Sequence, residues 1–479
     1  LGDNRARADR LMWDGQYWPA RRMIYRVDAQ YGKLIEARTS LRRMRGNVDY
    51  MVAQVPEKLQ NDAGLVYERM RWRRKKGLDS AYDLLKSLPE GMPYPHRWWD
   101  ERSIMARQQL QNGFITEAYR TAAQHGLTPD HAADHAEAEF LAGWIALRFL
   151  NEPKQAEQHF LRLYEAVTFP DSLSRGAYRV ARALDQKGDT ETAKAWYAKA
   201  AQHPTTYYGQ LARQHLGMKL TGIRRPSVTP DDADRFRNSE PVAAMARLQE
   251  IGRVDLARTM AYGLGRTLEN VPAITQLVVN WERMDERFTA LRIAKSAEWR
   301  GIETGALTHP IGAIPASTPI EPEERPLAYA IARQESEFNV AARSSANARG
   351  LMQLLPGTAR EMAREAGLAY QPARLDSDGA YNATLGTAYL RNQLDRFGGS
   401  YILTFIAYNA GPSRVGQWIE RFGDPRGKPL DEVIDWVEQI PFTETRNYVQ
   451  RVMENLQIYK ARFDEPTDIA HDLRYGWTD

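Results

Sequence analysis

Apolar residues recur at spacings of three and four along nearly the whole chain to about residue 305, and alternating stretches are few. That period puts apolar side chains on one face of a helix, so the segment reads as one helix after another. A longer rhythm overlies it. An apolar or aromatic helix meets a Gly or Pro, and an Ala follows three to five residues later. The instances are Gly15 to Ala20, Gly77 to Ala81, Gly113 to Ala118, Pro153 to Ala156 and Gly188 to Ala193. The last four alanines are 37, 38 and 37 residues apart. A small Ala at each step lets the second helix of a pair pack close to the first.

The clearest pair sets Trp144–Phe160 against Tyr178–Tyr197. It resembles tetratricopeptide-type helix pairs, whose period is about 34 residues. Stacked pairs share a core and curve into a superhelix, the expectation here over a non-repeating bundle. The rhythm breaks at Ile223–Asp232, then returns as Gly252 to Ala257. A stretch with five prolines, His309–Pro326, separates this scaffold from a C-terminal part of different character. The expected division is a helical superhelix over 1–230, a small helical linker over 231–305 and a compact domain over 306–479.

Composition narrows the class. A chain of 479 residues is too long for one ordinary domain. With 43% hydrophobic and 26% charged residues it is globular rather than disordered. The 12 tryptophans and 23 tyrosines suit sugar stacking, and helix packing accounts for most of them. A net charge of +4 fits a polyanionic partner, nucleic acid or an acidic wall polymer, without choosing between them. The densest basic run, Arg71–Lys76, reads as a solvated helix face. There is no Cys, which excludes disulfides, thiolate catalysis and Cys-ligated metals. No apolar run approaches the roughly 18–20 residues of a membrane span. The chain begins with Leu rather than Met, as expected of a processed or trimmed form.

The candidate chemistry lies beyond residue 325. Pro326 opens a helix, "PLAYAIARQESEF". Leu327, Ile331 and Glu335 are spaced by four and share one stripe. Two apolar members aim that stripe at a core, so Glu335 projects from an apolar face near the helix end. Desolvation disfavours a charged carboxylate and raises its pKa, the state a general acid needs near neutral pH. Ser336 either hydrogen-bonds nearby or ends the helix. In "GLMQLLPGTA" (Gly350–Ala359), Met352 and Gln353 offer an apolar contact and an amide. In "TFIAYNAGPSRVGQW", Asn409-Ala-Gly-Pro is a helix stop, Tyr408 stands at the helix end and Ser413 is a candidate N-cap. In "IPFTETRNYVQRVMENLQIY", Thr443 is a candidate N-cap. Glu444, Tyr448, Val452 and Leu456 form a second Glu-led stripe; Glu444 is equally explained by its favourable place at a helix N-terminus. Two carboxylates suit a glycosidase pair. The nine histidines show no metal-binding spacing, and no Walker loop, dinucleotide fingerprint or GxSxG elbow is present.

Taken in order, "ARQESEF", "GLMQLLPGTA", "AYNAGPSRV" and "IPFTETRNYV" closely resemble the catalytic domain of the soluble lytic transglycosylases. The helical repeats look like that family's ring-forming domain, and 240–305 like its linker. The resemblance implies a mainly α protein with a lysozyme-like α+β C-terminal domain. It implies cleavage of the β-1,4 bond between N-acetylmuramic acid and N-acetylglucosamine in peptidoglycan, leaving a 1,6-anhydro end without adding water. By that resemblance Glu335 is the single acid/base, and Ser336, Met352, Gln353, Tyr408, Asn409, Glu444 and Tyr448 bind substrate or flank the acid. Tyr208, in "TTYYGQLA", is a further candidate facing the cleft. No cofactor or metal is expected. The expected partners are glycan strands, with other cell-wall enzymes as further candidates, and neither nucleic acid nor a membrane span. The expected place is the periplasm of a Gram-negative bacterium, with the signal peptide removed. Two alternatives stay open: a hydrolytic muramidase resembling goose-type lysozymes, and a helical scaffold protein with an inactive lysozyme-like domain.

Overall fold

The computed structural model describes residues 2–89, 91–220 and 223–477. Among these residues the secondary structure is 26 α-helices with short 3-10 turns. Their β structure is limited to two isolated bridges, Arg343 to Arg349 and Arg349 to Leu354. The expected β component is therefore one folded-back loop, too short to extend a ladder.

The chain divides into two compact units, 1–167 with 182–189, and 168–181 with 190–479. In the first, helices such as Ala132–Arg148 and Pro153–Glu165 pack in pairs. The repeat alanines explain the close packing: Ala20, Ala81, Ala118 and Ala156 are all buried. Aromatic residues fill the space between helices, with Tyr67 wedged between Trp13 and Trp98. The basic run Arg71–Lys76 is only partly a solvated face. Arg71 and Arg74 turn inward to the buried Glu101 carboxylate, and only Lys75 and Lys76 are exposed.

In the second unit Ala193 and Ala257 are buried in the same way. Residues from Phe236 to Leu307 close a core of their own around Met245, Ile274, Trp281 and Ile293. Further on, three helices frame the candidate site. Arg325–Ser336 packs on Thr443–Arg462, which also packs on Tyr401–Ala410. The stripes explain the pairing: Leu327 and Ile331 from one helix and Tyr448, Val452 and Leu456 from another are buried. Pro326 lies in the first turn of its helix, as expected. Tyr401–Ala410 stops at Gly411, whose φ of +90° needs a residue without a side chain. Two caps differ from expectation. The N-caps are Gly411 and Phe442, so Ser413 and Thr443 fall inside the first turns of their helices. In both cases the turn geometry before the helix places the boundary earlier than the hydroxyl residue.

Candidate active site

Glu335 sits in the last turn of Arg325–Ser336, after which Glu337 and Phe338 take left-handed backbone and the chain turns away. Its carboxyl is partly buried. Burial pushes it up to about 7. The Tyr448 hydroxyl, donating to Glu335 Oε1 at 2.7 Å, pulls in the opposite direction, and the Glu444 charge adds to the rise. Glu444 itself is exposed in the first turn of Thr443–Arg462, one turn before Tyr448. The i, i+4 spacing of that helix thus delivers both groups to the same carboxyl.

Tyr408 stands at the end of Tyr401–Ala410 and donates its hydroxyl to the Met352 carbonyl at 2.8 Å. Burial, then the Glu335 charge, pushes the Tyr408 phenol well above its ordinary range, and the Tyr448 phenol likewise. Both rings stay neutral donors. Asn409 Oδ1 accepts from the Thr445 hydroxyl at 2.6 Å, which fastens the end of one helix to the start of the other. Ser336 both ends its helix and bonds outward: its hydroxyl donates to the Leu351 carbonyl at 2.7 Å.

The loop carrying Met352 is built on a residue that carries no motif. Asn382 is fully buried. It accepts from the Met352 N–H at 2.8 Å and donates to the Arg349 and Leu375 carbonyls, each at 2.9 Å. Gly350 makes this possible. Its φ is +75°, and a Cβ there would lie 1.8 Å from the Leu375 carbonyl oxygen. Two expectations change as a result. The Met352 side chain is 0% exposed and packs where a Cβ on Gly386 would meet its sulfur at 2.4 Å. It supports the loop from below and offers no side-chain surface to a groove. Gln353 turns its amide inward, donating to the Ala342 and Gly350 carbonyls at 3.1 and 2.9 Å.

Tyr208 also departs from expectation. It is 3% exposed, and its hydroxyl donates to the buried Glu438 carboxylate. Burial alone would raise Glu438, but Arg175, Arg179 and Arg446, with the Tyr208 hydrogen bond, hold it at about 2. Tyr208 is a member of this packed charge network, not of a cleft. Tyr389, which no motif marks, packs its ring 5.4 Å from that of Tyr408. Its one sequence signal is the four-residue spacing from the buried Leu385. Among the described residues no group of three or more His, Cys, Asp or Glu side chains is arranged to hold a metal.

The arrangement is a single carboxyl poised near neutrality, flanked by neutral phenols and a second, solvated carboxylate. That suits general acid and general base work by one group. Residues 319–430, which include Glu335, Met352 and Tyr408, match the sequence profile of the Transglycosylase SLT domain. Residues 439–467, which include Glu444 and Tyr448, match that of the Soluble lytic transglycosylase helical domain. A Haemophilus influenzae protein assigned by name to the soluble lytic murein transglycosylases is 37% identical over 256 residues, 52% of this chain and 41% of that protein. The Soluble lytic murein transglycosylase of Escherichia coli K12 is 40% identical over 142 residues, 29% of this chain and 21% of its own length. The chain thus spans less than half of each of these relatives. Among solved structures, an inactive mutant of the lytic transglycosylase Slt of Pseudomonas aeruginosa shares the fold, with a TM-score of 0.57 and 23% identity. That match covers 97% of this chain and 82% of the other.

Proposed function

We propose that this chain, which carries a transglycosylase SLT domain, is a peptidoglycan lytic transglycosylase. It acts on the β-1,4 bond between N-acetylmuramic acid and N-acetylglucosamine. The observation that carries the reading is the Glu335 carboxyl, raised by burial to about 7 and held by Tyr448. Near neutral pH both of its protonation states are populated, as acid-then-base work requires.

In the first half-reaction the protonated Glu335 gives its proton to the glycosidic oxygen, and the bond to the anomeric carbon breaks. In the second the Glu335 carboxylate takes the proton of the muramoyl 6-hydroxyl as that oxygen bonds to the same carbon. The product is a 1,6-anhydro end, and Glu335 is again protonated. Tyr448 fixes one carboxyl oxygen, and among the described residues no hydrogen bond reaches the other. Tyr408, through the Met352 carbonyl, and Ser336, through that of Leu351, hold the loop beside the acid. Asn409 and Glu444 lie at the meeting of two helices on the same side and are the substrate-orienting residues of this reading. The three-part division at 230 and 305 and a periplasmic location, where the wall polymer lies, belong to the same proposal.

Mass spectrometry of products from purified cell wall tests it. Ends lighter by one water are expected, and Glu335→Gln should release none while keeping its fold. Reducing ends from the wild type would instead establish a hydrolytic muramidase, and no release at all a scaffold.

A further inference from the structure

Within the first unit, a pocket of about 240 Å³ is lined by Arg21, Arg43 and Arg45, with Glu36, Ser40 and Met51 among the residues around them. Local chain geometry brings the three arginines together. Arg21 lies in the last turn of Tyr17–Arg22, and Arg43 in the last turn of Ala29–Arg43. Met44 then takes left-handed backbone with a φ of 55°, and the Arg45 N–H donates back to the Ser40 carbonyl at 3.2 Å. This closing bond folds Arg45 onto the helix end that carries Arg43. The exposed Trp18 ring lies 5.8 Å from the Arg21 guanidinium and 4.6 Å from that of Arg43. A guanidinium is attracted to the face of an indole, so one ring positions two of the three cations.

These cations are unmatched. Among the described residues no carboxylate lies within ion-pair distance of Arg21, Arg43 or Arg45, and their side chains make no hydrogen bond. The Ser40 hydroxyl has no partner among the described residues either. Elsewhere in the same unit, gathered arginines are neutralised: Arg71 and Arg74 share Glu101, and Arg38 meets Asp9 and Asp62. Two groups offset part of the charge here. Glu36 lines the pocket, and the C-terminus of Ala29–Arg43 adds about half a negative charge. The three guanidiniums therefore keep an excess of about 1.5 positive charges. A phosphate monoester carries about −1.5 to −2 near pH 7.

We infer that this pocket binds a phosphate monoester. Three terminal oxygens meet three guanidiniums, whose planar forks suit phosphate and form charge-assisted hydrogen bonds. The Ser40 hydroxyl is a further donor. A carboxylate offers two oxygens and one charge, and would leave a guanidinium unmatched. The pocket is larger than a bare phosphate needs and somewhat smaller than sites for drug-sized ligands, so a phosphate carried on one sugar-sized group fits. Glu36 is then the acceptor for a hydroxyl of that group. The site does not depend on the reaction proposed at Glu335, which belongs to the second unit.

Isothermal titration calorimetry with the whole chain tests this, using glucose 6-phosphate, glucuronate and glucose, which share a ring and differ at its last carbon. The wild type should bind glucose 6-phosphate about tenfold or more tightly than glucuronate, and glucose not at all. Arg43→Gln and Arg45→Gln should each weaken glucose 6-phosphate about tenfold, the loss of one charge-assisted bond, with the fold retained in melting curves. Arg22→Gln, which removes a neighbouring exposed arginine outside the pocket lining, should leave binding unaltered. Vesicles of phosphatidylcholine with and without phosphatidic acid separate the sources. Binding to the acidic vesicles that glucose 6-phosphate displaces assigns a lipid headgroup, and binding of the soluble ester alone assigns a free sugar phosphate; both uphold the phosphate site. No binding of glucose 6-phosphate, equal binding of glucuronate, or equal losses in Arg22→Gln and Arg43→Gln would overturn the inference.

Discussion

Replacing Tyr448 with Phe removes one hydrogen-bond donor from Glu335 and leaves the ring in its packing. The hydroxyl donates to Oε1 at 2.7 Å and favours the ionised carboxyl, opposing the burial that raises it to about 7. A hydrogen bond to a charged group contributes about 1.5–3 kcal/mol. At about 1.4 kcal/mol per pKa unit, its loss raises the Glu335 pKa by about one to two. The protonated acid starts the proposed reaction, so kcat/KM falls as pH rises through that pKa. In Tyr448→Phe the descending limb should move from near pH 7 to between about pH 8 and 9. The plateau should also drop, because the carboxyl is held less firmly. The assay is the initial rate of anhydro-end release across pH, with folding checked at each value. A limb that stays in place, or moves to lower pH, would refute the assigned role of the hydroxyl.

Other outcomes follow from the same geometry. Glu335 has its folded-state pKa raised from 4.5 to about 7, so its burial costs nothing below its unfolded value and costs progressively more as pH rises to about 7. Glu335→Gln should therefore match the wild type near pH 4 and be more stable at pH 8, by at most about 3 kcal/mol in denaturant titrations. Asn382→Ala leaves the buried Met352 N–H and Leu375 carbonyl without a partner, so a loss of about 2 kcal/mol or more is expected, with a fall in activity. Tyr208→Phe should lower stability by about 1–3 kcal/mol and leave KM unchanged; a raised KM would return Tyr208 to the cleft.

The legible parts of the site were those set by local period. The four-residue stripe placed Glu335 on an apolar face, and Asn409-Ala-Gly-Pro ended its helix where expected. What escaped is set by distant partners. The bond from Tyr448 to Glu335 joins residues 113 apart, and Tyr208 is buried by a glutamate 230 residues away. No window of sequence carries that information. Asn382 resembles any helical asparagine until the loop that it threads is in place. Met352 failed for a related reason: an apolar residue in a loop reads as available surface, and only the missing side chain of Gly386 shows where it goes.

Both phenols beside Glu335 are held far above their ordinary range. In the proposed reaction they neither gain nor lose a proton at any physiological pH. The proton that Glu335 gives to the leaving oxygen is replaced by the one from the sugar's own hydroxyl. A full turnover therefore takes no net proton from bulk water. In heavy water the carboxyl and the sugar hydroxyls are both deuterated by exchange, so every hydron passed in the reaction is a deuteron and each cycle still returns Glu335 to its starting state. The protons given and taken thus balance within each turnover, and the pH of the medium sets only the fraction of Glu335 that starts it protonated.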